Sequence, residues 1–112
     1  MWSQIPSKGL GLSYIVRTIS YMNLKMVNVC DEEVLGKELK EGELVVNISK
    51  DYFLGFRVGE EKALQLVKEA DIVNLVGNRI VELVLREGLA HPDAVRKIQG
   101  VSFLMIYRFI HR

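Results

Sequence analysis

The residues best suited to chemistry in this 112-residue chain stand together, with Cys30 followed by Asp31, Glu32 and Glu33. A cysteine thiolate is a nucleophile, and one or two carboxylates can hold a hard cation such as Mg²⁺. The neighbouring acids disfavour a thiolate, however, and adjacent acids rarely converge on one ion. The competing interpretation is a buried cysteine at a strand end and acids at the start of a helical turn. A small enzyme or a metal-dependent activity at this acidic turn is our third functional hypothesis.

Other catalytic arrangements lack their partners in this sequence. The two histidines, His91 in a turn and His111 next to the last residue, are poorly placed as bases for a nucleophile. One cysteine and two distant histidines give no tetrahedral zinc spacing. The segment Gly9-Leu10-Gly11 lacks the third glycine and the preceding strand of a dinucleotide fingerprint. We therefore predict no catalytic residue, no metal and no cofactor, and favour a protein that is not an enzyme.

Charge is distributed unevenly along the chain, although the net charge is only +1. The parts before Asp31 and after Asp93 hold seven bases and no acid, whereas residues 31–93 hold all 14 acids against eight bases. If both ends fold into one sheet, a basic surface results. The residues expected on it are Tyr14, Arg17, Lys25, Tyr107, Arg108 and Arg112. Such a surface suits single-stranded RNA, because cations bind phosphates and aromatic rings stack on bases; the alternative is a set of solvated charges that discourage strand aggregation.

Local composition predicts four strands. They are runs of β-branched, aromatic and other apolar residues at Tyr14–Ser20, Lys25–Cys30, Glu43–Ser49 and Val101–Ile110. The first two should form a hairpin, and the third should be buried on much of both faces. Asp31 is expected to cap a short helical turn that ends at Gly36.

Two helices are predicted between the third and the last strand. Glu60–Ala70 has apolar residues on one side, and a second helix should run from an Asp71 cap to about Gly88. Gly77 lies on the apolar arc of that second helix, where a neighbouring backbone should approach closely. Leu75 and Leu85 point towards its polar arc, so that with the last strand they could bind a protein partner or a second copy. The alternative is that the N-terminal segment or the aromatic loop after the third strand covers them.

The order of these elements predicts an α+β fold, with a small mixed or antiparallel sheet of about four strands and two main helices packed on one face. Residues 1–12 are interpreted as a flexible lead before a single domain over residues 13–112. A lone cysteine excludes an internal disulfide and favours a cytoplasmic location. Because no stretch of about 18 uncharged apolar residues exists, we expect no membrane partner.

Three ordered blocks, VCDEEVLGKELKEGELVV, ADIVNLVGNRIVELV and IQGV, resemble the small archaeal family called domain of unknown function 424. The resemblance covers roughly Tyr14 to Arg108 and implies a compact α+β domain of a cytoplasmic archaeal protein, without an established activity. The motif residues that carry it are Cys30, Asp31, Glu32, Gly36, Lys37, Asn74, Gly77 and Gly100. Two departures stand out: Gly100-Val101 is not followed by the family's histidine-containing run, and the loop at 51–55 keeps only one of its two glycines.

Three hypotheses follow in order of preference. The first is a non-enzymatic RNA- or ribonucleoprotein-binding module in information processing that uses the basic terminal strands. The second is a protein-interaction adaptor or homodimeric structural module, and the third is the activity at the acidic turn near Cys30. The first depends on Arg17 and Arg108 lying on one surface of the sheet.

Overall fold

The structure, a computed structural model, describes residues 13–50 and 55–108. Its elements in chain order are the strands β1 (Tyr14–Tyr21), β2 (Leu24–Asp31), β3 (Glu38–Glu41), β4 (Leu44–Asn47) and β5 (Phe56–Val58), helix α1 (Glu60–Glu69), strand β6 (Ile72–Val76), helix α2 (Asn78–Arg86), and the strands β7 (Arg96–Ile98) and β8 (Val101–Tyr107). Six strands form one sheet in the order β5-β1-β2-β6-β8-β7, and β3 pairs with β4 in a separate hairpin. The sheet is mixed, because β2 and β6 run parallel while the other neighbours run antiparallel. The α+β class is confirmed, and the main sheet has six strands rather than about four.

The predicted hairpin of the first two strands is confirmed. β1 and β2 pair along their whole length, from Tyr14 opposite Asp31 to Tyr21 opposite Leu24. Met22 and Asn23 connect them with positive φ angles of 50° and 68°. Two successive residues with positive φ match the right-handed twist of a hairpin, and asparagine tolerates this conformation well.

The prediction of one helix from Asp71 to about Gly88 is wrong. Its first part is the strand β6, which is parallel to β2, and only its second part is helical. Gly77 separates the two parts with φ 128° and ψ 145°, a backbone conformation that interrupts a helix. The run Ile72-Val73-Asn74-Leu75-Val76 is rich in β-branched residues, so that central pairing in the sheet outweighs the helical spacing of its apolar side chains.

Both helices pack on one face of the sheet, as predicted. Alternate strand residues point to this helix face, and they form one buried cluster with the inner sides of α1 and α2. The strand members of the cluster include Val16, Val27, Val29, Val73, Leu75 and Leu104, and the helix members include Ala63, Val67, Ile80 and Val84. This cluster is the main core. The strand residues that alternate with its members point to the opposite face of the sheet.

The β3–β4 hairpin covers part of the opposite face. A second buried cluster joins hairpin and turn residues, including Val34, Leu39 and Ile48, to the sheet residues Cys30, Val76 and Val101. The third predicted strand corresponds to β4, but it lies outside the main sheet. Its residues Leu44 and Val45 are exposed, so the prediction that it is buried on both faces is wrong. The short strands β3, β5 and β7 were not predicted.

Candidate functional site

The acidic turn after β2 is built into the fold rather than gathered around an ion. Asp31 is buried, and its two carboxylate oxygens accept hydrogen bonds from the backbone N–H groups of Arg79 and Ile80, each at 2.9 Å. Asp31 therefore caps the N-terminus of α2. The prediction that it caps the short helical turn that follows it is wrong, because its side chain makes no capping hydrogen bond there. Burial raises the pKa of this carboxyl, while the two backbone N–H groups and Arg79 lower it.

The two glutamates of the turn bind different arginines. Arg79 makes a bidentate ion pair with Glu33, with Nη2–Oε1 at 2.6 Å and Nε–Oε2 at 2.8 Å. Arg57 pairs with Glu32 in the same way, at 2.5 and 3.1 Å, and the Ser13 hydroxyl also donates to Glu32. These hydrogen bonds lower the pKa of both glutamates. The three carboxylates thus point to three separate sets of donors.

The thiol of Cys30 is unsuited to nucleophilic chemistry. It is fully buried under the hairpin. Burial, and then the charges of Asp31, Glu33 and Glu32, raise its pKa to about 12. Because the thiolate is the reactive form, this cysteine is a packing residue of the second cluster.

Three of the motif residues, Asp31, Gly77 and Gly100, lie at the junction between β6, α2 and β8. Gly77 is needed beside Asp31, because a Cβ at this position would lie 2.3 Å from the Asp31 Cγ. Asn78 donates to the Gly100 carbonyl at 2.9 Å and accepts from the Ser102 N–H at 2.8 Å. On the hairpin side, the Gly36 N–H donates to the carbonyl of Ile48, whose own N–H donates to the Lys37 carbonyl. The close approach of Asp31 explains the glycine at position 77, and a φ of 90° explains the glycine at position 36.

The predicted basic surface is divided between the two faces of the sheet. Arg108 follows Leu104 and Ile106 on the helix side, and its guanidinium donates to the carbonyls of Val67 and Ala70 at the end of α1. A cation at the C-terminus of a helix is stabilised by the helix dipole. Arg17 is instead opposite Asn28 on the other face. The expectation that Arg17 and Arg108 share one surface is wrong.

The remaining predicted binding residues are also separated. Tyr14 is buried on the helix face with the Arg79 guanidinium 4.7 Å from its ring centroid, so it is not available for stacking. Lys25 is exposed on the helix side of β2 by alternation with Val27. Tyr107 is exposed and shares the face of Arg17, whereas Arg112 lies outside the described residues.

The two leucines proposed for protein interaction are core residues. Leu75 is fully buried in β6, because this segment is a central strand and not a helix. Leu85 is half-buried and packs against the main cluster. The predicted interaction surface of Leu75 and Leu85 is therefore wrong.

A different surface remains on the sheet beyond the hairpin. The cluster under the hairpin ends at one row of residues across the sheet. This row has one residue from each of β1, β2, β6 and β8, namely Ile15, Cys30, Val76 and Phe103. The next residues on the same face form what we call the open half: Arg17, Ile19 and Tyr21 on β1, Leu24, Met26 and Asn28 on β2, Ile72 and Asn74 on β6, and Met105 and Tyr107 on β8. Three of these side chains, those of Tyr21, Met105 and Tyr107, are at least half exposed. Arg17 is the charged member of the set.

A polar row crosses the open half at right angles to the strands. Arg17 is opposite Asn28, Asn28 is level with Asn74 on the parallel strand, and Asn74 is opposite Met105. Neighbouring strands lie about 4.8 Å apart, so the three polar residues span about 10 Å from β1 to β6. We define the polar row as Arg17, Asn28 and Asn74. Ile19, Met26, Ile72 and Tyr107 form the next row along the strands.

Asn28 is the unusual member of this row. Its side chain has no solvent exposure, and neither the amide nitrogen nor the amide oxygen has a hydrogen-bond partner in the part of the chain that the structure describes. A buried amide without a partner is costly, and most buried polar atoms do form a hydrogen bond. This residue was not predicted from the sequence. Its signal was an asparagine in the middle of the apolar strand KMVNVC, since asparagine is depleted in strands.

A second cation flanks the open half on its other side. Arg96 on β7 is opposite Phe103, and alternation places it on the same face as Arg17. It lines a shallow cavity of about 240 Å³ together with Ala94, Phe103, Leu104 and Met105. β1 and β7 are separated by four strand spacings, so Arg17 and Arg96 lie about 19 Å apart across the strands, with Arg96 level with Phe103 rather than with the row of Arg17.

Neither a metal cluster nor a membrane-spanning helix is found over residues 13–50 and 55–108. In these ranges no three or more His, Cys, Asp or Glu residues are grouped so that they could hold a metal ion. Neither described helix has the length and the apolar character to span a membrane.

Comparison with known proteins gives a family and a fold. No curated protein matches the chain. A solved structure described as an uncharacterized conserved protein from Methanopyrus kandleri is similar, with a TM-score of 0.74 and 23% sequence identity, over 89% of this chain and 95% of the other. The family described as "Protein of unknown function (DUF424)" matches over residues 19–109. The chain therefore belongs to the DUF424 family.

Proposed function

We propose that this protein is a non-enzymatic module that binds single-stranded RNA on the open half of its sheet. The proposal rests on three groups that share one face: an exposed aromatic ring, Tyr107, a cation, Arg17, and a buried amide, Asn28, which has no hydrogen-bond partner among residues 13–50 and 55–108. Unpaired bases stack on aromatic rings and present hydrogen-bonding edges, and the phosphates between them attract cations. Arg17 and Arg108 do not share a surface, so the proposal no longer depends on that pair. It keeps the expected ligand class together with Arg17 and Tyr107, and adds Asn28.

The arrangement fits a strand that crosses the sheet. Arg17 on one side and Arg96 on the other offer cations to phosphates at the two ends of the path. Between them lie the amides of the polar row and the ring of Tyr107, which is 55% exposed. An apolar protein surface placed on this face would leave the Asn28 amide without a partner, whereas a base edge supplies both a donor and an acceptor. This difference favours RNA over an apolar protein partner.

Binding is tested by fluorescence anisotropy with labelled oligo(rA) and oligo(rU) of about 12 nucleotides in roughly 25–200 mM salt. We expect affinity to fall as salt rises, with a slope set by the number of phosphates neutralised. Arg17→Glu should lower the affinity and reduce the slope by about one or more. The matched control Arg86→Glu reverses an exposed charge on α2, on the helix side, and should leave the slope unchanged. No binding by the wild-type protein at the lowest salt would contradict the proposal.

Stacking is tested separately from charge. Tyr107→Ala should lower the affinity by about 1–3 kcal/mol, the usual contribution of one base stacked on an aromatic ring. Phe56→Ala is the matched control, because Phe56 is an equally exposed aromatic residue whose register partner Val16 points to the helix face. Equal losses for the two variants would show that Tyr107 has no special contact with the ligand.

A second candidate is self-association through the open half and the adjoining turn residue Met22, which is favoured by exposed apolar side chains. Tyr21, Met22 and Met105 are 67%, 77% and 50% exposed, and methionines adapt well to protein surfaces. Sedimentation equilibrium distinguishes this function from RNA binding. A homodimer that Met105→Glu dissociates, without RNA binding, would replace the first proposal with the second.

A further inference from the structure

We infer that Asn28 is a base-recognition residue whose side-chain amide hydrogen-bonds the edge of one unstacked nucleobase; this rests on the proposed RNA-binding function. The amide carries two donor hydrogens and an acceptor oxygen, and it is buried. Neither polar atom has a partner within the described part of the chain. The same described residues do satisfy the buried carboxylate of Asp31, which lies three residues later.

The position of Asn28 in the sheet places its amide beside other polar groups. It lies on a central strand, on the face away from the helices and past the limit of the cluster under the hairpin. Asn74 is level with it on β6, so that the two asparagines occupy neighbouring positions on strands about 4.8 Å apart. Arg17 adjoins them on β1. A flat ligand group that both donates and accepts hydrogen bonds therefore faces side-chain amides at this position, and Arg17 lies beside them.

Asn28 has no solvent exposure, so a base can reach its amide only after neighbouring side chains move. Met26 lies two residues before Asn28 on the same strand and face, and Met105 is opposite Asn74. Methionine side chains are unbranched and change rotamer readily. Asn74 and Arg17 are themselves partly exposed. In the inferred complex these side chains rotate, and a base approaches the amide from the solvent side.

The hydrogen-bonding groups of the amide identify the ligand class. An asparagine amide forms a bidentate pair with the adjacent donor and acceptor atoms of an adenine edge. A phosphate or a carboxylate has no donor for the amide oxygen and would satisfy only half of Asn28. The site is thus specific for the base rather than for the backbone, which distinguishes the role of Asn28 from that of Arg17.

Asn28→Leu tests the inference, because leucine has the same branching at Cγ but no polar atom. Two effects of opposite sign are expected. The midpoint of thermal unfolding should rise by about 4 °C, since a costly unpaired amide is removed. Affinity for oligo(rA) should fall about tenfold, the loss of one bidentate pair. Asn47→Leu replaces an exposed asparagine on β4 and should leave affinity unchanged. Asn28→Val serves the same purpose if the leucine variant does not fold.

An abasic oligonucleotide of the same length separates the two proposals. Wild-type protein should bind it more weakly than oligo(rA), and Asn28→Leu should leave its affinity unchanged. If the wild-type protein binds oligo(rA) and the abasic strand equally, and Asn28→Leu lowers neither affinity, base recognition is refuted while RNA binding stands. If the wild-type protein binds neither strand at the lowest salt, the proposed function itself is refuted.

Discussion

Replacement of Gly77 by alanine should destabilise the protein strongly, for two reasons that can be measured separately. The backbone at Gly77 has φ 128° and ψ 145°, a region that residues with a Cβ enter at a cost of about 1–3 kcal/mol. The added Cβ would also lie 2.3 Å from Cγ and 2.5 Å from Oδ2 of Asp31. Asp31 must then move away from the N–H groups of Arg79 and Ile80, and the loss of this helix cap costs about 1–2 kcal/mol more. We expect a total of about 2–5 kcal/mol for Gly77→Ala.

Equilibrium urea unfolding followed by circular dichroism measures this loss. Gly88→Ala is the control, because Gly88 has φ 70° but nothing lies within 4 Å of the place that a Cβ would occupy, so it reports backbone strain of about 1–2 kcal/mol without a clash. A double-mutant cycle with Asp31→Ala isolates the cap: Gly77→Ala should cost about 1–2 kcal/mol less when the carboxylate is already absent. Equal costs for Gly77→Ala and Gly88→Ala, with no coupling to Asp31, would refute the close contact between β2 and the start of α2.

Two further predictions concern the acidic turn. Cys30 should resist alkylation by iodoacetamide in the native protein at about pH 8 and react only after unfolding in urea, because burial raises its pKa to about 12; rapid modification of the native thiol, followed by mass spectrometry, would contradict its buried position. The hydrogen bonds from Arg79 lower the pKa of Glu33 below its ordinary value of 4.5. The ionised Glu33 therefore stabilises the folded protein fully above pH 4.5, and this stabilisation is lost as the pH falls through the lower pKa of the folded state. The difference in unfolding free energy between wild-type protein and Glu33→Gln should therefore be present at about pH 7 and decrease towards about pH 3, and a difference that grows on acidification would be inconsistent with the ion pair.

Local patterns in the sequence determined the hairpin of β1 and β2, the helix at Glu60–Glu69 and the apolar last strand. These elements depend on contacts near in sequence or on a single periodicity, which a local pattern contains. The same patterns failed at Ile72–Val76, where apolar residues fit both a helix and a strand. Pairing with β2 and β8 on either side selects the strand, and both partners are distant from it in the chain.

The tertiary structure alone decided which side chains share a surface. Arg17 and Arg108 both belong to basic terminal segments, yet the direction and register of β8 turn Arg108 to the helix side, where the carbonyls of α1 bind it. The composition of the CDEE motif indicated chemistry, and only the fold shows that Asp31 caps a helix 48 residues later. Conversely, Asn28 is a candidate binding residue because its amide is buried without a hydrogen-bond partner among the described residues. Its surroundings are set by its pairing with β1 and β6, which the local sequence does not show. Successive side chains of a strand point to opposite faces, so a shift of one residue in the strand pairing exchanges the two faces. Composition therefore limits which side chains a surface can contain, and strand pairing determines which ones it does contain.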